Sequence, residues 1–273
     1  MSSDNADAPT LLCVIFDVNP SIWQLREKYA QSGVTKFDEL VQSLIVFVNS
    51  FLLSNRCNQI YIIANHPEFS SIAYPQNLGG TGSKPEDTGG LENAICEALT
   101  SIIRVSCHKT PPEIAMNALP RSLGNALCII NGQLIRSPLK FEPRILVLQI
   151  SRDNPSAYTS IMNCIFSTQK IGAPIDTMVF ARDDSRFLQQ ASYLSGGIYL
   201  RPDDQTDHLQ LLTSHYLASN STRSKLLRMP FQQVVDFKAT CFCHGKAIEY
   251  AFMCSVCLAL TCEASEVCAT CGI

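Results

Sequence analysis

The last part of the chain concentrates cysteine, the residue whose thiolate is a preferred ligand of zinc. Seven of the 13 cysteines lie in this segment: Cys241, Cys243, Cys254, Cys257, Cys262, Cys268 and Cys271. Two Cys-x-x-Cys pairs, Cys254/Cys257 and Cys268/Cys271, have the spacing at which a tight turn points both sulfurs at one ion. Together these pairs can complete a tetrahedral zinc site of four thiolates.

The other ligand candidates are Cys241, Cys243, His244 and Cys262, which can form a second site. Ligand pairs one and three would then share an ion, as would pairs two and four, which resembles the cross-brace of a RING-like module. A rival arrangement is a single site that combines Cys241 and Cys243 with the first Cys-x-x-Cys pair. Because so small a module buries little apolar surface, we expect zinc to supply its folding free energy.

The region before the cysteines alternates apolar strand patterns with helical ones. Such alternation predicts a doubly wound α/β fold with a mainly parallel sheet and helices on both faces. The predicted strands are Leu11–Val18, Gln59–Asn65, Arg144–Ser151, Ile175–Phe180 and Ile198–Leu200. The first of them, LLCVIFDV, is apolar almost throughout, as is typical of a strand buried on both faces.

The helical periodicity lies between these strands. The predicted helices are 36–55, 91–105, 113–136, 153–171, 185–194 and 204–219. Pro120 should break or kink the third, Gly172 should cap the fourth, and the Gly-rich stretch 75–90 should form a mobile loop. We divide the chain into a flexible N-terminus (1–10), the α/β domain (11–219), a linker (220–239) and the zinc module (240–273).

Asp17, Asn19 and Ser21 follow the first predicted strand, at the sheet edge where α/β folds bind ligands. Integrin-like and adhesion A domains carry Asp-x-Ser-x-Ser here, and its oxygens help to hold magnesium. In this chain the middle hydroxyl is replaced, and Arg121–Gly124 stands where a threonine ligand is expected. We therefore expect Asp17 to cap a strand end and not to bind a metal ion.

No catalytic motif stands out elsewhere in the sequence. The stretch Gly79–Lys84 faintly resembles a phosphate-binding loop, but Pro85 follows it and no strand leads into it. There is no Gly-x-Ser-x-Gly nucleophile elbow, and none of the five histidines neighbours a nucleophile motif. These observations favour a protein without catalytic activity or a small-molecule substrate.

Composition, charge and the apolar pattern argue against several further classes of protein. The net charge is −3 and basic residues are not clustered, which argues against direct nucleic-acid binding. The apolar run Leu40–Leu53 contains Gln42 and Asn49 and is shorter than the roughly 20 apolar residues of a membrane span. The first ten residues lack the pattern of a secretory signal, so a reducing compartment is expected. Only 16% of residues are charged, which suggests a surface covered by partner proteins.

Three stretches carry a resemblance to a known family. Residues 187–200 (FLQQASYLSGGIYL) resemble the segment that leads into the last strand of a von Willebrand A domain. The opening LLCVIFDVNP, with ATCFCH at 239–244 and YAFMCSVCL at 250–258, resembles the family of general transcription factor IIH subunit 3. The resemblance extends from about Leu11 to Cys271.

This resemblance implies a nuclear scaffold protein without enzymatic activity. Its expected partners are the other TFIIH core subunits, chiefly the larger subunit that has its own A domain and RING-like zinc modules. Its expected roles are RNA polymerase II transcription initiation and nucleotide excision repair, with DNA contacted only indirectly through the complex and no membrane contact. Two alternatives remain at this point: a RING-type ubiquitin ligase component, and a metal-dependent ligand-binding A domain.

Overall fold

The computed structural model describes residues 8–28, 37–75, 88–106, 118–181, 183–202, 207–226, 235, 237–244, 247–264, 267–269 and 271–272. The strands of the main sheet are β1 (Thr10–Asp17), β2 (Gln59–Asn65), β3 (Ser70–Tyr74), β4 (Glu142–Gln149), β5 (Ile175–Val179) and β6 (Tyr199–Leu200). They lie in the order β3-β2-β1-β4-β5-β6, and every neighbouring pair is parallel except β2–β3. The mainly parallel sheet is confirmed, and the antiparallel edge strand β3 is an addition that its short, partly polar sequence did not predict.

The helices are α1 (Pro20–Lys28), α2 (Phe37–Ser54), α3 (Thr88–Ser106), α4 (Leu119–Arg136), α5 (Tyr158–Ile171), α6 (Arg186–Ser195), α7 (His208–Leu211) and α8 (Asn220–Leu226). The break or kink expected at Pro120 takes the form of a helix start, because α4 begins at Leu119 and Pro120 lies in its first turn. The first-turn N–H groups of a helix have no partner within the helix, so proline fits there without breaking it. Gly172 caps α5 as expected, in the left-handed conformation with φ +74°.

The sheet separates two hydrophobic cores. β1 is buried along its whole length, and its residues alternate between the cores: Leu12 and Phe16 face one, Leu11 and Ile15 the other. One core includes the apolar side of α2 and the other those of α4, α5 and α6. Burial on both faces explains why β1 is apolar from Leu11 to Phe16.

Helix α2 is the one described helix that is long and apolar enough to cross a membrane. Its residues Leu40, Leu44, Phe47 and Phe51 are buried in the core beside the sheet. The apolar character of α2 is therefore that of a helix packed on a sheet, as predicted for the run Leu40–Leu53.

Six cysteines precede the C-terminal cluster, and most of them fall in apolar patterns that predict small core residues. Cys13 is such a core residue, and burial raises the pKa of its thiol. Cys57 and Cys128 are exposed and are exceptions to this prediction. Cys107 lies outside the described residues.

A buried ion-pair triad joins α8 to the sheet. Asp176 in β5 is fully buried, and its carboxylate lies 2.9 Å from Arg144 in β4 and 2.8 Å from Arg223 in α8. The Ile198 N–H also donates to Asp176, at 3.0 Å. Burial raises the pKa of Asp176 to about 6 against the lowering effect of Arg144, so this carboxylate is ionised at neutral pH.

A π turn at Leu212–Tyr216 completes the surroundings of the triad. Arg144 donates to the carbonyl oxygens of Tyr216 and Ala218, at 2.9 and 2.7 Å. The single helix predicted over 204–219 is interrupted here because a π turn shifts the backbone register and leaves carbonyls for Arg144. The segment predicted as a linker thus begins with a helix, α8, that is attached to the sheet domain through Arg223.

Replacement of Gly197 by alanine is expected to destabilise the sheet domain by about 3 kcal/mol. An added Cβ would lie 2.0 Å from the Ile175 carbonyl oxygen, so β5 would have to move. Gly132→Ala is the matched control, because nothing lies within 4 Å of its added Cβ. That change should stabilise helix α4 by about 0.5–1 kcal/mol. Urea unfolding of both variants checks the prediction, and equal midpoints would contradict it.

Candidate metal centre

The C-terminal module consists of two short antiparallel pairs, β7 (Ala239–Thr240) with β8 (Ala247–Ile248), and β9 (Phe252–Met253) with β10 (Leu260–Thr261). The Phe242 N–H donates to the Leu260 carbonyl at 2.8 Å and connects the two halves. These pairs are too short to fold by themselves, since an isolated two-stranded hairpin is marginal in water. The cysteine ligands lie in the turns that the pairs hold together.

The two Cys-x-x-Cys pairs meet in one cluster. The four sulfurs of Cys254, Cys257, Cys268 and Cys271 all lie within 4.8 Å of one another. The Cys254–Cys271 and Cys257–Cys268 sulfur distances are 3.8 and 3.6 Å. Zn–S bonds of about 2.3 Å at tetrahedral angles place sulfurs about 3.8 Å apart. This cluster therefore has the dimensions of a tetrahedral four-thiolate site.

The turn around the Cys254/Cys257 pair favours the thiolate form of Cys254. The Leu258 N–H donates to the Cys254 carbonyl and the Cys254 N–H to the Ala259 carbonyl, both at 3.0 Å. Backbone N–H groups of Cys257 and Val256 point at the Cys254 sulfur and lower the pKa of its thiol. Only the deprotonated form binds a metal ion, so this turn prepares Cys254 as a ligand.

A second cluster is formed by Cys241, His244 and Cys262, whose ligand atoms also lie within 4.8 Å of one another. Cys243 is not in this set, although its thiol interacts with the sulfurs of Cys241 and Cys262. The second cluster is therefore a group of three ligand candidates with Cys243 nearby, separate from the four-thiolate cluster. The two clusters alternate along the chain as in a cross-brace, in which the first and third ligand groups share one site and the second and fourth share the other. The rival single site would instead need Cys241 and Cys243 beside Cys254 and Cys257.

The polar side chains at the carboxyl edge of the main sheet are used within the protein. The Asp17 carboxylate is buried and accepts backbone N–H groups from Ser151 at 2.8 Å, and from Ile150 and Asn19 at 3.2 Å. Burial raises the pKa of Asp17, while these hydrogen bonds act in the opposite direction. Asp17 thus joins the ends of β1 and β4, which is the capping role expected from the sequence.

Two further features lie at this edge. Asp153 accepts the Ser185 hydroxyl at 2.6 Å and the Phe187 N–H at 3.2 Å, so it caps the start of α6. Beside it is an open cavity of about 340 Å³, in whose wall Arg152 and Asp183 pair at 3.2 Å. Within the described part of the chain, the only groups of three or more His, Cys, Asp or Glu close enough to share an ion are the two C-terminal clusters. The stretch Gly79–Lys84 lies outside the described residues.

The sequence did not predict the triad of Arg144, Asp176 and Arg223. The sequence nevertheless contains an indication of this triad, because Asp176 and Arg144 are charged residues in predicted strands that are mostly apolar. Charged residues at such positions are rarely buried without a partner.

Relatives with assigned names match nearly the whole chain. The family model described as transcription factor Tfb4 matches residues 9–272. General transcription factor IIH subunit 3 of Dictyostelium discoideum is 35% identical over 254 residues, covering 86% of this chain and 67% of the relative. The general transcription and DNA repair factor IIH subunit TFB4 of Arabidopsis thaliana is 31% identical over 280 residues, covering 99% and 90%.

Solved structures agree with the fold of the sheet domain. The TFIIH p34 N-terminal domain has a TM-score of 0.64 at 26% identity, over 76% of this chain and 97% of that one. A von Willebrand factor type A protein from Catenulispora acidiphila, with a TM-score of 0.52 at 14% identity over 76% of this chain and 43% of that one, supports the von Willebrand A fold alone. Together with the family match over residues 9–272, these likenesses show that the chain belongs to the Tfb4 family of transcription factors.

Proposed function

We propose that this protein is a zinc-dependent, non-catalytic scaffold subunit of general transcription and DNA repair factor IIH. The main support for this proposal is the match of the Tfb4 family model to residues 9–272, which include both the sheet domain and the cysteine module. The relatives from Dictyostelium and Arabidopsis are named as subunits of this factor. We infer a nuclear location and a role in transcription initiation and nucleotide excision repair from the same likeness.

The proposed metal is zinc, held by two sets of ligands. One set is Cys254, Cys257, Cys268 and Cys271, and the other is Cys241, Cys243, His244 and Cys262. Support comes from sulfur distances of 3.8 and 3.6 Å in the first set, since zinc with four thiolates is tetrahedral. Bound zinc would replace an extended hydrophobic core in this module and would fix the loops that carry the ligands. We assign it a structural role.

The proposed activity is binding of other subunits, chiefly the larger one with an A domain and RING-like zinc modules. The polar residues at the carboxyl edge of the sheet support the non-catalytic part of the proposal. Asp17 and Asp153 are both occupied with backbone N–H groups of the protein itself. Such carboxylates cap structural elements, and their engagement leaves them poorly placed for acid–base chemistry.

Coexpression of this chain with the larger subunit of its own organism should yield a stable one-to-one complex on gel filtration. Permanent complexes of this kind bury roughly 2,000 Å² or more, so we expect the two chains to stay together through the column. The control is coexpression with an unrelated A-domain protein, which should not co-elute. The proposal fails if the chain stays monomeric beside its partner, and the ligase alternative gains if the zinc-loaded chain promotes ubiquitin transfer.

A further inference from the structure

The chain leaves the sheet domain at one corner of the sheet, which we name the lower corner and define by Ile175, Asp176 and Ser195. Helix α6 ends there, since the Ser195 hydroxyl oxygen accepts the Ile175 N–H at 2.8 Å. Ile175 and Asp176 begin the parallel strand β5, whereas Asp17 ends the parallel strand β1. The lower corner is therefore at the sheet edge opposite to Asp17.

Two residues that follow the sheet in the sequence, Arg223 and Phe237, contact the sheet domain near this corner. Arg223 in α8 pairs with Asp176 at 2.8 Å. Farther along the chain, the ring of Phe237 meets the ring of Tyr193 on α6 edge-on, with centroids 5.3 Å apart and an interplanar angle of 70°. Tyr193 is two residues before Ser195, so both contacts lie at the same corner.

The second contact is close to the metal ligands. Phe237 precedes Cys241 by four residues, which span at most about 14 Å even when fully extended. The contact therefore restricts where the module can lie.

We propose that the Tyr193–Phe237 contact docks the cysteine module at the lower corner, so that the module stays beside this corner of the sheet domain. The edge that carries Asp17 and the 340 Å³ cavity then remains uncovered by the module. A partner that contacts both parts would meet a preformed surface and would not have to order a loose tether, which lowers the entropic cost of binding.

Photochemical cross-linking tests this placement. Tyr193 is replaced by p-benzoylphenylalanine in the full-length, zinc-loaded chain, and adducts are mapped by mass spectrometry. Adducts to residues 235–241 are expected to dominate. The matched control is the same replacement at Phe166 on α5, whose exposure of 50% equals the 51% of Tyr193. Equal yields on 235–241 from both positions, or no adduct there from position 193, would overturn the proposal.

Limited proteolysis of the segment between α8 and β7 provides a second measurement. Phe237→Ala should raise its cleavage rate about fivefold, because loss of an aromatic pair shifts the docked equilibrium toward the open form. Tyr250→Ala is the control, since Tyr250 is an aromatic residue of the cysteine module with 89% exposure. It should leave the rate unchanged. An unchanged rate for Phe237→Ala would show that this contact does not hold the module.

Discussion

Loss of the four-thiolate site is expected to unfold the cysteine module while the sheet domain stays folded. Cys254→Ser removes one of four ligands that lie within 4.8 Å of one another, and the ordered turns around them have little core to keep them folded. Elemental analysis should find two zinc ions per wild-type chain, one for each cluster, and at most one in the variant, because Cys262 of the second cluster lies in the same module. Amide hydrogen exchange should become fast across 247–264 and remain slow in β1 and β4.

Two further variants separate the arrangements of ligands. Cys262→Ser should remove the other zinc ion, because Cys262 belongs to the cluster with Cys241 and His244. In the rival single-site arrangement Cys262 is no ligand, and its replacement would leave the zinc content unchanged. Cys128→Ser is the matched control, since Cys128 is an exposed cysteine on α4. A chelated chain with wild-type hydrogen exchange in the module would contradict the zinc assignment.

Replacement of Asp176 is expected to have the largest effect in the sheet domain. Asp176→Asn leaves the buried guanidinium groups of Arg144 and Arg223 without their shared counter-ion. Breaking a buried ion pair from one side costs about 3–5 kcal/mol, because a charge remains in a region of low polarity. The free energy of unfolding, measured by urea titration at pH 7, should fall by that amount.

An exposed ion pair provides the control for Asp176. Arg152 and Asp183 are 3.2 Å apart, with side chains 78% and 71% exposed. Asp183→Asn should therefore change stability by no more than about 0.5 kcal/mol. Arg223→Met should lower the free energy of unfolding by less than Asp176→Asn does. The ion pair of Arg144 and Asp176, which has no net charge, remains in that variant. Equal effects of Asp176→Asn and Asp183→Asn would refute the stabilising role assigned to the triad.

Local patterns in the sequence determined the type of fold and the composition of the candidate site. The apolar run of β1 follows from its burial on both faces, and the cap at Gly172 from the freedom of glycine at positive φ. The Cys-x-x-Cys pairs follow from the tight turn that points two sulfurs at one ion. Each of these signals lies within a few neighbouring residues, so the sequence displays it directly.

Only the tertiary structure decided which distant residues meet. It grouped Cys241 with Cys262, and it brought Arg223 to Asp176 across 47 positions of sequence. It also decided between a break and a kink at Pro120, because the helix begins at Leu119 and Pro120 lies in its first turn. These outcomes depend on strand order, crossovers and burial, which are properties of the whole packed chain. A residue's neighbours in the sequence do not report them, because the energy of a buried charge or a shared metal ion is set by groups far away along the chain.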